Sequence, residues 1–376
     1  MPLRTQLHGF HVKNGQMVDF AGFELPIWYK GIVPECKAVR DSVGIFDVSH
    51  MGRCLISGKD ASTFLDYITT NDVSALEAGR GHYSVMCNEN GGIIDDIVVC
   101  RITESQYLMV FNAGNREKDI VWQNKNAKRF DVEIRHVSDE VSMFAVQGPN
   151  AGAILKEICG EDLSQIHRFG GKQIHVDKID AIVTRTGYTG EDGFEIFTMD
   201  SSIEQPSKAV TVWNTILDGG SKHGIQPCGL GARDVLRLEA GMCLYGNDID
   251  ESVTPIQARL SFVVKLTKAQ FLGRDVLAKE KAEGAKKARV GLKALEPGIP
   301  REKCEILKNS EVIGNVTSGT FSPTINRGIA MGYVPKEYSK TGENLTIRVR
   351  NRNLRVEVTG FPFYDTSRYG WQRTQK

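Results

Sequence analysis

The sequence predicts an α+β protein of more than one domain that closes in a mainly antiparallel β domain. Three observations carry this. The chain has 376 residues, beyond the ~100–200 residues of one typical domain. A weak internal repeat runs through the first half, each copy reading as strand, turn, helix and then strands. Near the C-terminus the apolar residues begin to alternate with polar ones, the period of a half-buried strand.

Composition narrows the class. Hydrophobic residues make up 41% and charged residues 25%, the balance of an ordinary soluble globular chain, and the length suffices to bury a core without staples. A net charge of +1 gives no broad field for a polyanion, so nucleic acid is not an expected partner. No run of ~18 apolar residues exists. The N-terminal MPLRTQLHGFHVKNG lacks the apolar centre of a signal peptide. A cytoplasmic protein without membrane contact is expected. The eight cysteines show no C-x-x-C spacing, and read as reduced thiols rather than a zinc or disulfide framework.

The repeat comes first along the chain. Residues 55–68 read LISGKDASTFLDYI and residues 145–158 read AVQGPNAGAILKEI. Without a gap, Gly58 meets Gly148, Ala61 meets Ala151, Leu65 meets Leu155 and Ile68 meets Ile158. Asp60 and Asn150 stand where a side chain can accept hydrogen bonds from free N–H groups at a helix start. Ala61, Phe64, Leu65 and Ile68, and in the second copy Ala151, Ile154, Leu155 and Ile158, make one buried helix face. Two related α+β units are expected. After the first helix, apolar runs flank Asn90-Gly91 in residues 83–100, a hairpin signal. After the second, apolar runs surround the glycines of residues 180–197. Units related by a pseudo-twofold would place these two segments around a shared cavity. Residues 277–288, LAKEKAEGAKKA, read as an exposed helix or linker. LTIRV (345–349) and LRVEV (354–358) then form a hairpin across RNRN, within a β domain of the last ~90 residues.

Candidate chemistry centres on acids in apolar settings. Asp95 and Asp96 are adjacent in the run IIDDIVV and face opposite sides of a strand. Asp95 is flanked on its face by Ile93 and Ile97, and Asp96 by Ile94 and Val98. A carboxylate in such a row needs a partner or a task, and the pattern does not choose between the two. Glu195 lies inside another apolar strand, where the wet face of an antiparallel sheet is the plainer explanation. Arg233 and Arg237 sit one turn apart in GLGARDVLRLEAG (229–241). They could meet a carboxylate or a neighbouring surface acid. GLGARD fails as G-x-G-x-x-G, and GNVTSG (314–319) lacks the P-loop lysine. His8 and His11 alone make no metal site, so no metal is expected.

Seven blocks carry a resemblance. MVDFAGFELP (17–26), AVRDSVGIFDVSHMG (38–52), YSVMCNENGGIIDDIVV (83–99), QGP (147–149), RTGYTGEDGFEIF (185–197), GLGARDVLRLEAG (229–241) and VTSGTFSPT (316–324) occur in the order of the glycine cleavage T-protein, or aminomethyltransferase, family. The chain resembles that family from about residue 17 to residue 365. The resemblance implies a three-domain cloverleaf around a central folate cavity. Residues 1–52 with 142–265 would form a discontinuous folate-binding domain, 53–141 the domain of the aspartate hairpin, and 266–376 a linker and the C-terminal β domain.

It also implies a reaction. A lipoyl carrier, the H-protein, presents an aminomethyl group on a thiol; tetrahydrofolate takes up the methylene carbon and ammonia leaves. The family's catalytic carboxylate corresponds to Asp96, suited to stabilising developing positive charge and managing a proton. Glu195 matches the residue that hydrogen-bonds the pterin ring. Tyr83 and Tyr188 match aromatic walls, Met51 and Asn112 match cavity positions, and Arg233 matches an arginine near the cofactor. Arg368 is a candidate contribution from the C-terminal domain. The chain departs from the family at Cys36, Met242, Gln257, Arg259 and Phe262, and these changes are expected to touch the cavity lining. Two other readings stand beside this one. A folate-dependent demethylase of a small methylated substrate would use the same fold. A non-enzymatic folate protein of iron–sulfur assembly would carry a cysteine-centred K-G-C-Y-x-G-Q-E segment that this chain lacks.

Overall fold

Helix α1 (His8–Asn14) leads into a hairpin of β1 (Gln16–Phe20) and β2 (Phe23–Trp28). Its turn residues Ala21 and Gly22 both have positive φ, as a two-residue turn that follows strand twist requires. The computed structural model describes residues 2–374. Helix α2 (Ile32–Asp41) and strand β3 (Gly44–Asp47) follow.

The first unit comprises β4 (Gly52–Ser57), α3 (Ala61–Ile68), β5 (Arg80–Cys87), β6 (Ile93–Thr103), β7 (Gln106–Phe111), α4 (Arg116–Ala127) and β8 (Glu133–His136). The second comprises β9 (Ser142–Gln147), α5 (Ala151–Cys159), β10 (Gly171–Val176), β11 (Ile179–Thr184), β12 (Gly193–Thr198), α6 (Ser207–Gly220) and β13 (Gln226–Pro227). The sheet orders are β5-β6-β7-β4-β8 and β10-β11-β12-β9-β3-β13. The repeat is therefore one of topology as well as of sequence, and it contains an exchange. Strand β3 leads into the first unit but pairs with β9 of the second, while β8 leads into the second but pairs with β4 of the first.

The two helix starts show how the repeat is built. Gly58 (φ +112°) and Gly148 (φ +130°) adopt the same turn. A Cβ on Gly58 would lie 2.6 Å from the Asp131 carbonyl oxygen, and one on Gly148 2.5 Å from that of Ser42. Asp131 and Ser42 each precede an exchanged strand, and their carbonyls accept the backbone N–H groups of Asp60 (3.0 Å) and Asn150 (3.1 Å). The expected side-chain caps do not form. Asp60 Oδ2 accepts from the Asp131 N–H and Asn150 Nδ2 donates to Ser42 Oγ, because both side chains tie the helix to the exchanged strand rather than to its own first turn.

Packing follows from the apolar stripes. Phe64, Leu65 and Ile68 of α3 bury against Ile97, Val99, Met109 and Phe111. Ile154 and Leu155 of α5 bury beside Trp213 of α6 against Phe144, Val183 and Ile196. The inner faces of the sheets share a third core containing Leu55, Cys100, Leu108, Ala145, Ile182 and Phe197. Each buried Val, Leu, Ile, Phe or Met side chain among these contributes ~1.5–3 kcal/mol. Helix α7 (Leu230–Glu239) closes this core through Ala232 and Leu236.

Helix α8 (Arg274–Glu283) occupies most of the lysine-rich segment, whose last residues open the barrel. Strands β14 (Lys287–Ala294), β15 (Glu305–Lys308), β16 (Glu311–Ser322), β17 (Arg327–Pro335), β18 (Asn344–Val349) and β19 (Arg352–Thr359) close in the order β14-β17-β16-β15-β18-β19. Every pairing is antiparallel, and β18–β19 is the hairpin expected from alternation. Among the described residues no helix is long and apolar enough to cross a membrane. All eight cysteines are free.

Candidate active site

A cavity of about 1360 Å³ lies where the two units meet α7, the barrel and the C-terminal segment. Pockets for a single small ligand run to ~300–1,000 Å³, so this one has room for two reacting groups together. Met51, Tyr83, Asp96, Asn112, Tyr188, Glu195 and Arg233 all line it.

Strand β6 delivers the acidic wall. A bulge opposite Met86 and Cys87 interrupts the alternation of residues 93–95. Ile94 therefore shares a core with Ile97 while Ile93 enters another, contrary to the flanking of Asp95 by Ile93 and Ile97 expected from strict alternation. Beyond the bulge the period holds: Asp96 and Val98 face the cavity, while Asp95 is fully buried on the other side. Asp95 accepts from the Asn112 backbone N–H (2.9 Å), Asn112 Nδ2 (2.8 Å) and Asn115 Nδ2 (2.6 Å). Asp96 accepts from the Tyr83 hydroxyl (3.0 Å) and Asn112 Nδ2 (2.8 Å), and from no cation among the described residues. Burial, then the charge of Asp95, push Asp96 up to about 7 against the pull of those two donors. Such a carboxyl exchanges its proton near neutrality, as a general acid–base group must.

The opposite wall comes from the second unit and α7. Gln147 donates to the Thr186 carbonyl and accepts from the Thr189 hydroxyl, shaping the loop that carries Tyr188. A Cβ at Gly187 would overlap the Gln147 amide, so a larger residue there would displace that amide and its hydrogen bonds. The Tyr188 hydroxyl donates to the Cys243 carbonyl. Glu195 on β12 is buried, receives the Thr186 hydroxyl, and is pushed up by burial. The Arg233 guanidinium lies 4.7 Å from the Tyr188 ring centre and lacks a carboxylate partner among the described residues; burial pulls it down. His50 also lines the cavity, with no partner at Nδ1 among the described residues. Burial and then Arg233 hold its ring neutral, at about 3. The cavity thus presents two carboxyl groups, Asp96 and Glu195, and the Arg233 guanidinium, with no ion pair to any of them among the described residues.

The other sequence expectations divide. Arg237 is spent on Asp234 (2.7 Å) and Asp248 (2.6 Å). Arg368 is exposed and outside the lining; the C-terminal segment contributes Trp371 instead, with the Arg168 guanidinium 4.5 Å from its ring. Met242, Arg259 and Phe262 line the cavity, but Cys36 is core and Gln257 donates to Glu280. Those two departures therefore leave the lining unchanged. His8 pairs with Glu24 and His11 with Asp47. Sequence reasoning missed His50, Arg168, Arg289 and Arg301; only His50, beside Met51 in SHMG, stood in a singled-out block.

Comparisons with known proteins agree with this geometry. Residues 7–268 match the GCVT N-terminal domain, and residues 287–365 the glycine cleavage T-protein C-terminal barrel domain. The chain is 44% identical over 363 residues to an aminomethyltransferase of Clostridium botulinum, covering 96% of both chains. It is 43% identical to one of Caldanaerobacter subterraneus subsp. tengcongensis, with the same coverage. The crystal structure of the glycine cleavage system aminomethyltransferase T from Bartonella henselae superposes with a TM-score of 0.90 at 34% identity, covering 98% of this chain and 100% of that one. Matches of this extent, falling on both the paired units and the barrel, establish that the chain belongs to the glycine cleavage T-protein family.

Proposed function

We propose that this protein is the aminomethyltransferase of a glycine cleavage system, moving the methylene of an aminomethyl-dihydrolipoyl carrier, the H-protein, to tetrahydrofolate with release of ammonia. The observation that carries the reading is Asp96, a cavity carboxyl held by Tyr83 and Asn112 but, among the described residues, by no cation, and pushed up to about 7. The family relationship supports the chemistry, and the reading places the enzyme in the cytoplasm with its carrier.

The residues present fit a folate. Glu195, buried, and Arg233, partly buried, form no ion pair among the described residues and suit a heterocycle bearing N–H donors and carbonyl acceptors. Tyr83 and Tyr188 offer flat apolar faces and Met51 an adaptable one. When bound, tetrahydrofolate supplies the amine nitrogens that accept the one-carbon unit. Asp96 contributes negative charge beside the reacting carbon and a site that takes or returns a proton. Tyr83 and Asn112 fix the direction of its oxygens, so it need not reorganise as charge develops.

The test is ammonia release from an aminomethylated carrier with and without tetrahydrofolate. Strong acceleration by the folate is expected. No acceleration in protein shown to bind tetrahydrofolate would instead favour a demethylase of a small methylated substrate.

A further inference from the structure

Behind the cavity wall lies a third acid that the proposed chemistry does not use. Asp119, on α4, is fully buried. It stands one helical turn after Asn115, on the same face, and Asn115 donates to Asp95 Oδ1 at 2.6 Å. Neither oxygen of Asp119 has an N–H or O–H donor among the described residues. A charged carboxylate without donors is among the costliest groups to bury. Lys118 relieves it only in part, because its Nζ is committed to the Ile94 carbonyl (2.7 Å) and the Tyr245 hydroxyl (2.7 Å). The other titratable groups around Asp119 are Asp95, Asp96, the Tyr245 hydroxyl and the Cys54 thiol, which donates to Gln123 Oε1.

A carboxylate has about four acceptor sites. Three on Asp95 are filled, two at Oδ1 and one at Oδ2. We infer that Asp119 carries its own proton and donates it to Asp95, filling the last acceptor site, and thereby acts as a positioning residue for the Asn112 amide that holds Asp96. Burial, then the charge of Asp95, push Asp119 up to about 11. With Asp95 saturated, the Asn112 amino group is divided between Asp95 Oδ1 and Asp96 Oδ1, both at 2.8 Å, and the amide cannot flip without losing both. The chain of contacts runs Asp119, Asp95, Asn112, Asp96.

The activity part of the test rests on the proposed role of Asp96; the protonation part does not. Infrared spectra of the full-length protein at about pH 9, above the Asp96 titration, should contain a protonated-carboxyl band. It should vanish in Asp119→Asn and persist in Asp96→Asn. Asp119→Asn keeps a neutral donor toward Asp95, so kcat should stay within ~3-fold and the Asp96 limb of the pH profile should not move. Asp119→Leu removes the donor. Its kcat should fall ~10-fold, the scale of one unsatisfied buried partner, with the limb displaced to higher pH and the folate KM little changed. If Asp119→Leu does not fold, the infrared band and the Asp119→Asn profile still decide. A missing band in the wild type, or a limb moved downward in Asp119→Asn as loss of a negative charge would cause, overturns the inference. Failure of the wild type itself to release ammonia would defeat the functional reading and leave the infrared result standing.

Discussion

Asp96 and Glu239 are both acids removed from bulk water, yet the protein treats them differently. Glu239, at the end of α7, accepts from Arg40 Nη2 (2.8 Å) and Nε (3.1 Å), from the hydroxyls of Ser322 (2.5 Å) and Thr324 (2.8 Å), and from the Thr324 N–H (3.3 Å). Arg40 also holds Glu191 (2.9 Å), which in turn binds Arg373 and the Gly370 N–H. That network joins the paired units to the barrel and the C-terminal segment. Asp96 has two neutral donors and an open cavity. A saturated acid works as a joint. An under-satisfied acid stores the electrostatic cost that makes it reactive.

Removing each acid's function should separate the two roles. The largest expected effect is on turnover: Asp96→Asn should lose ~10²–10⁴-fold in kcat while folding normally. Near wild-type rates in a steady-state ammonia assay would sink its catalytic role. Arg40→Met should do the reverse in kind. It strands Glu239 without its cation and leaves Glu191 to Arg373 alone, and denaturant unfolding should show a loss of ~3–5 kcal/mol.

A third measurement sharpens the contrast through pH. The folded pKa of Asp96, about 7, lies above the ~4 of an unfolded aspartate. The folded chain therefore holds this proton more tightly. The stability it contributes is complete below about pH 4 and is lost as pH rises through about 7. Asp96→Asn should accordingly be more stable than wild type by ~1–3 kcal/mol above pH 8 and show little advantage near pH 4. An advantage that does not grow with pH would contradict the raised pKa. The smallest effect is expected at Phe262, whose ring is 64% exposed and stacks on Tyr83 at 6.4 Å. Phe262→Ala should raise the folate KM only ~3-fold, the scale of one exposed aromatic contact; a large fall in kcat would show that the stack orients Tyr83 against Asp96.

Much of the local structure was legible along the chain. The 3.6-residue stripes of α3 and α5 and the Asn90-Gly91 hairpin all formed where periodicity and turn chemistry put them, and the β18–β19 hairpin formed where the alternation did. The acidic doublet was visible too, but not which member faces the cavity. That depends on a bulge whose position is set by pairing with β5. Asp60 and Asn150 read as helix caps because local rules see only the helix; their partners, Asp131 and Ser42, arrive from strands exchanged between the units.

By itself, the sequence determined the elements, their repeated order and the acids set among apolar residues, since propensity, periodicity and turn geometry act over a few residues. Only the tertiary structure decided which carboxyl would lack a cation. That outcome depends on residues far apart in the chain: Tyr83, Asn112 and the neutral Asp119 gather around Asp95 and Asp96, while Arg40 and Arg237 go to other acids. Burial and charge are sums over neighbours in space, and the neighbours are chosen when the two units and the barrel close around one cavity.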